Sequence, residues 1–426
     1  MRFVKLLLAS LLCALYLVSC GGNDANGETE SANDGATANE LDNENTEETP
    51  VETTQTPENA DGILTINPDD YYKCIVFDLP EGDFRDVAVE YMRKQASIEW
   101  VCENGFSVVD KFENWSIGLE YKKGVTYHGI TYTNAKSSLD EFMLFYKDGK
   151  VSMESGDSNS VVGNGCYSAT QNATQQFDPD VAGTTNVLMP SYKEFEAKTV
   201  GDYKVPDGVK KTSDIIAANS QDDIYAAYSQ LKKGDLILQK DDTKGMSHVR
   251  MVVEDPVIVT NATGKLNPSR STVKTIEQTN AFDSTRTDGV NTTWYVDHVY
   301  SFSKLYETHY IPLTYESYSK ERNEMEKPYL LLDTEITASV VAKKTFTSTV
   351  KSNFPIRFVK MDILDKDGNV VATKLKNNMP DSRTVSLRNS FSSIFDGLGS
   401  GDYTLVLTAG ISRGSGELAR VDFTLN

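Results

Sequence analysis

The stretch KKGDLILQKDDTKGMSHVRMVVED, residues 232–255, decides how the middle of this chain folds. Gly234 turns the backbone into the apolar run Leu236-Ile237-Leu238, and a second run begins at His248. Both read as strands. In the second, Val249, Met251 and Val253 alternate onto one side, which predicts a core face; His248 then projects to the opposite side. A third strand is expected in STVKTIEQTNAF, residues 271–282. If Ile276 shares the core face, Glu277 falls on the face of His248 and Gln278 does not, whereas a slip of one residue exchanges them.

Upstream, GNGCYSATQNA (163–173) sets a cysteine among glycine, tyrosine and polar residues, where burial does not account for it. The segment CYSATQNATQQF can form a helix beginning at Cys166. A thiol is a useful nucleophile as its thiolate, and the amides at a helix N-terminus favour that anion. An imidazole on a facing strand can take the proton and later return it to a leaving amine. Of the four histidines (128, 248, 298 and 309), His248 alone heads a strongly apolar strand. The candidate catalytic residues are therefore Cys166 as nucleophile, His248 as base and Glu277 as the group orienting the imidazole, with Gln278 second in that place. The amide of Cys166 supplies one oxyanion donor. Tyr132, ahead of Tyr127, is the polar side chain expected in the cleft, with Gln278 also within its polar lining. His128 is expected at the surface, and His298 and His309 in structural roles.

Around this nucleus, EGDFRDVAVEYMRKQASIEW (81–100) reads as an amphipathic helix capped by Asp83, with Phe84, Val87, Tyr91 and Ile98 near helical spacing. FSVVD is a short strand, and a short helix starts near Ser137 or Ser138. An irregular stretch runs to about Val209. Ser220 and Asp223 cap a further helix that carries Ile224, Ala227 and Leu231 on one stripe. From about Pro328 the texture changes. FPIRFVKMDILDKDGNVVATKL forms two alternating runs across an Asp-Gly turn, and RTVSL, GDYTLVLTAGI and ELARVDFTL follow at the spacing of a small antiparallel sandwich. This last part contains no histidine or cysteine.

The first twenty residues, MRFVKLLLASLLCALYLVSC, place Arg2 and Lys5 before an apolar run shorter than a bilayer-spanning helix requires. Its end, Leu17-Val18-Ser19-Cys20, resembles the lipobox of bacterial lipoproteins, which implies cleavage before Cys20 and diacylation of its sulfur. Residues 21–62 then hold twelve carboxylates and no basic residue. Such a segment cannot bury enough surface to offset its ordering entropy, so it reads as a disordered acidic tether. Setting aside those twelve carboxylates and the cations Arg2 and Lys5 takes the −20 of the whole chain to −10. With no basic patch, nucleic acid is not an expected partner. Removal of Cys13 with the signal and lipidation of Cys20 leave Cys74, Cys102 and Cys166. At least one of these three must stay free or pair between molecules. Cys74 and Cys102 lie in apolar runs and read as core residues, with a mutual disulfide as the alternative.

Four elements in order, GVTYHGITYT, Cys166 at a helix start, KKGDLIL and SHVRMVV, resemble the NlpC-type papain-like peptidases of bacterial cell walls over roughly residues 84–313. They match that family's Gly-x-x-Tyr loop, its nucleophile helix, its Lys-x-Gly-Asp-Leu strand start and its His-Val-x-apolar strand. The resemblance implies an acyl-enzyme mechanism and a substrate in the peptide stems of peptidoglycan, commonly at a D-glutamyl γ-linked bond. Two departures stand out. The family has Asp before and Ser-Gly after its cysteine, where this chain has Gly165 and Tyr167-Ser168; its third residue is commonly His, Asn or Gln, where this chain has Glu277. The long insertion between Cys166 and Gly234 suggests a lid or an extra cleft wall.

The expected fold class is α+β: a signal (1–20), a tether (21–62), a papain-like NlpC-type domain (63–325) and a C-terminal all-β immunoglobulin-like sandwich (326–426). The expected partners are peptidoglycan stem peptides and, through lipid on Cys20, the outer face of a bacterial membrane; the protein is expected to act as a monomer. No metal cluster, phosphate loop or cofactor is anticipated. The rival readings are a catalytically silent envelope binding module on the same fold, and a papain-like esterase or amidase with another substrate.

Overall fold

The computed structural model describes residues 61–193, 196–379, 381–388 and 390–425. The expected signal, Cys20 and nearly all of the tether lie outside the described residues. The described chain mixes helices and sheets around two apolar cores, one built from residues between Leu79 and Met325 and the other from residues between Leu330 and Phe423.

The strand pattern read from 232–255 is realised as a hairpin. Leu236–Asp241 pairs antiparallel with Met246–Val252, which pairs in turn with Thr272–Gln278. These three lie inside a six-stranded sheet flanked by Trp294–Ser301 on one side and by Ile311–Tyr315 and Ala197–Thr199 on the other. Val249, Met251, Val253 and Ile276 are buried in the first core, as the alternation required. The Cys166 helix, Cys166–Thr174, packs between this sheet and the long helix Phe84–Ser97. Asp83 caps that long helix by accepting from the Arg85 amide. Its buried face is Phe84, Ala88, Val89, Met92, Gln95 and Ala96, while Val87, Tyr91 and Ile98 lie only partly covered along its flank. The stripe is thus rotated from the expected one, because the polar Gln95 is recruited into the core to bond the Ala169 carbonyl.

The C-terminal part is two four-stranded antiparallel sheets sharing one core. One is built on the long strands Ile356–Leu364, Gly401–Ile411 and Gly414–Leu425, together with Val370–Lys376. The other differs from the expected extent of the first domain, 63–325, at that domain's N-terminal end. Lys73–Val76, expected to belong to the hydrolase domain, is instead the outer strand of this sheet, pairing with Tyr329–Leu332. The cause is steric fit. Ile75 and Phe77 lie over Gly416 and Gly414, where an added Cβ would fall 2.5 Å and 2.7 Å from their side chains. Cys74 is therefore part of the sandwich, Cys102 is buried in the first core, and neither forms a disulfide.

The two parts meet on the Cys166 helix. Its nine residues are all buried although six carry polar amides or hydroxyls, so each of those needs a partner. Ser412, in the turn between the last two strands, bonds Asn172 and Gln175 at 2.7 and 2.8 Å. The buried Arg357 guanidinium reaches Gln175 and Asp381, and Asp381 in turn pairs with Lys136 at 2.7 Å. Among the described residues, no helix is long and apolar enough to cross a membrane.

Candidate active site

Two loops place the thiol. Residues 131–137 and 161–165 run side by side, with Thr133 N bonded to Asn164 O, Asn164 N to Thr131 O and Ser137 N to Gly163 O. At Gly163 an added Cβ would sit 2.3 Å from the Thr131 carbonyl oxygen, so glycine is required for the loops to approach. Gly165 then caps the Cys166 helix; its amide donates to the Ser168 hydroxyl at 2.8 Å. This pairing sets Tyr132 beside Gly165 and close enough to Cys166 for the two to feel each other's charge.

The sheet supplies the partner groups. The His248 ring lies close enough to Cys166 for each to shift the other's pKa, and its Nε2 meets Glu277 Oε2. The nitrogen left for the sulfur is Nδ1. Burial alone would raise the pKa of Cys166, but the hydrogen bond and charge of His248, with the amides of Val249 and Tyr167, bring it below that of an ordinary thiol. Burial alone would lower that of His248, yet the bonds to Cys166 and Glu277 push it up to about 9. Such a pair favours thiolate and imidazolium together. The other two cysteines differ: burial raises the thiol pKa of both Cys74 and Cys102.

Glu277 is 2 % exposed and both its oxygens accept hydrogen bonds. Arg250 Nε donates to Oε2 at 2.7 Å and the Tyr300 hydroxyl donates to Oε1 at 2.6 Å. Burial would raise its pKa, but Arg250 first, then His248 and Tyr300, hold it well below the usual carboxylate range. The Arg250 guanidinium itself lies between two aromatic faces, 3.9 Å from the Tyr300 ring centroid and 4.3 Å from that of Tyr310.

No family model matches the chain, and no curated protein matches it. Among solved structures, it is similar over 45% of its length to the tetra-tandem repeat in the extending region of a large adhesion protein, at 14% identity and a TM-score of 0.18. Over 44% it is similar to dimeric latent PorU from Porphyromonas gingivalis, at 10% identity and a TM-score of 0.15. The chain covers 41% and 23% of those two proteins, and likenesses of this size carry no argument.

Cys166, His248, Glu277 and Tyr132 are thus brought together. Gln278 is not. Its side chain turns to the other face of the strand and donates to the Ile130 carbonyl at 2.8 Å, which places it in the scaffold of the Tyr132 loop rather than beside the thiol. Tyr127 is likewise engaged elsewhere, its hydroxyl accepting from the Lys122 amide at 2.8 Å. His128 pairs with Glu99 and His298 with Asp283, away from the thiol. The insertion after the Cys166 helix is fastened to the rest of the domain. Ala182 accepts from the Tyr167 hydroxyl at 2.8 Å, Thr185 bonds Ser247 next to His248 at 3.1 Å, and Ala197–Thr199 extends the sheet. Sequence reasoning missed Arg250 and Tyr300. The signal for Arg250 was present, since it lies two residues from His248 on the same face of the strand. Tyr300 had none among so many tyrosines.

Proposed function

We propose that the chain is a lipid-anchored cell-envelope cysteine hydrolase with a papain-like, NlpC-type catalytic domain, cleaving amide bonds in the stem peptides of peptidoglycan. The observation that carries this reading is the line Cys166–His248–Glu277, which joins a thiol at a helix start to an imidazole and a buried carboxylate. In this reading the Cys166 thiolate attacks the scissile carbonyl carbon, forming a C–S bond and placing negative charge on the carbonyl oxygen. The Cys166 amide at the helix N-terminus and the Tyr132 hydroxyl face that oxygen. His248 gives its proton to the leaving amine as the C–N bond breaks. Neutral His248 then takes a proton from water, whose oxygen attacks the thioester carbon; the C–S bond breaks, its electron pair returning to the Cys166 sulfur as thiolate, and the acid is released. Glu277 keeps the ring in the tautomer both steps need. The lipobox-like end at Cys20 and the acidic segment after it support tethering to a membrane, and labelling with a fatty acid that is lost in Cys20→Ala tests that part.

Purified peptidoglycan fragments incubated with the wild-type protein and with Cys166→Ala test the catalytic part. Mass-resolved loss of one amide bond in the first incubation alone is expected. Fragments left intact by the wild type would overturn the substrate assignment, and equal cleavage by both proteins would overturn the nucleophile. One observation favours a second reading, a silent binding module: Cys166 is only 8 % exposed. Retention of intact fragments by both proteins, without cleavage, would select it.

A further inference from the structure

We infer that Arg250 cancels the charge of Glu277, so that this carboxylate acts on His248 as an uncharged hydrogen-bond acceptor would; Arg250 is a positioning residue of the Cys166–His248 pair. The inference rests on reading those two residues as a reactive pair, and it addresses how the pair is tuned.

The geometry that points to it is shared use of one oxygen. Glu277 Oε2 accepts from both Arg250 and His248, while Tyr300 occupies Oε1. The ladder explains why. Met251 stands opposite Ile276 and Val252 opposite Thr275, so the next step of the same register sets Arg250 opposite Glu277, with His248 reaching it from the diagonal. Arg250 cannot drift away, because Tyr300 and Tyr310 close both faces of its guanidinium.

The need for a counter-charge follows from burial. A lone carboxylate at this depth would hold an imidazolium so firmly that His248 could not give its proton to a leaving amine at neutral pH. The titratable groups facing the pair from the packed elements are Tyr132 from the loop beside Gly165, Tyr310 ahead of the strand Ile311–Tyr315, and Tyr295 and Tyr300 from the edge strand. Each is a phenol whose pKa is raised, mainly by burial, and is therefore uncharged near neutrality. Besides the Cys166 thiolate, Arg250 and Glu277 are thus the charges close to His248.

The test reads His248 directly, without substrate and without the thiol. In a Cys166→Ala background, the His248 ring is titrated by NMR of histidine-labelled protein, its resonance being identified by its loss in His248→Ala. Arg250→Gln is expected to raise the His248 midpoint by about one pH unit, since a cation has been removed beside an anion. Arg250→Gln with Glu277→Gln should return it close to the starting value, and Arg250→Lys should leave it in place. If Arg250→Gln does not fold, Glu277→Gln alone replaces it. With Arg250 now uncompensated, its midpoint should lie about one unit below that of the double variant. Equal midpoints in Glu277→Gln and the double variant, or no shift in a folded Arg250→Gln, would overturn the inference and leave Arg250 a packing residue. Loss of hydrolase activity plays no part in the readout, so failure here is separate from failure of the proposed function.

Discussion

At its first residue the Cys166 helix faces Arg250 through His248 and Glu277; at its last turn it meets Arg357 through Gln175. Arg357 is buried and Arg250 largely covered, yet they differ in what surrounds them. Arg250 has one carboxylate and two tyrosine faces, and although burial works against it, Glu277 and these rings stabilise its charge. Arg357 shares Asp381 with Lys136, and burial dominates to lower its pKa. The first line of groups ends on an imidazole and a thiol that can exchange a proton. The second ends on the amide of Gln175 and the hydroxyl of Ser412, which cannot at ordinary pH. A charge at one end of the helix thus adjoins the thiol–imidazole pair, while at the other it docks the C-terminal sandwich.

The largest effect that separates the two ends is expected from Cys166→Ala. Hydrolysis should fall by about 10⁴-fold or more, while thermal unfolding stays within about 1 kcal/mol of wild type. Arg357→Met should do the reverse. Leaving Asp381 short of a partner in the interface is expected to cost about 3–5 kcal/mol by denaturant unfolding, with the pH dependence of Cys166 alkylation unchanged in the folded protein.

A third effect concerns Glu141, beside that interface. Burial pushes its pKa up to about 7, against the opposing bond from Asn377 at 2.7 Å, and its second oxygen has no partner among the described residues. A carboxyl whose folded pKa is raised costs stability as pH climbs from its unfolded value, near 4.3, to about 7. Glu141→Gln should therefore stabilise the protein at pH 8 by up to about 3 kcal/mol and hardly at all at pH 4; urea midpoints at the two pH values check this. Glu277 has the opposite sign. Its folded pKa is depressed, so its contribution is complete above the unfolded value and is lost as pH falls below it. Wild type should lose up to about 1.4 kcal/mol per pH unit more than Glu277→Gln as pH drops from 5 to 3.

Much of the first end was legible in the sequence because it obeys local rules. Alternation in HVRMVV and TVKTIEQ fixed which residues share a face, and that choice preferred Glu277 to Gln278, as the geometry also does. The start of the Cys166 helix followed from the glycine-flanked thiol. The second end was not legible, because it depends on contacts between residues more than two hundred positions apart, such as Gln176 with Ser412 and Lys136 with Asp381. No local period marks a strand at 73–76 that leaves the domain it precedes, or a run of glutamines and asparagine kept polar to receive another sheet's turn. Arg250 falls between these cases: its face was readable, while its aromatic cage was not.

Peptide-resolved alkylation by iodoacetamide at pH 6 puts the central claim at most direct risk, because Cys74 and Cys102 serve as controls within the same molecule. Cys166 should label many times faster than either, and its advantage should vanish in His248→Ala. A Cys166 that reacts no faster than the other two thiols at that pH would contradict the account.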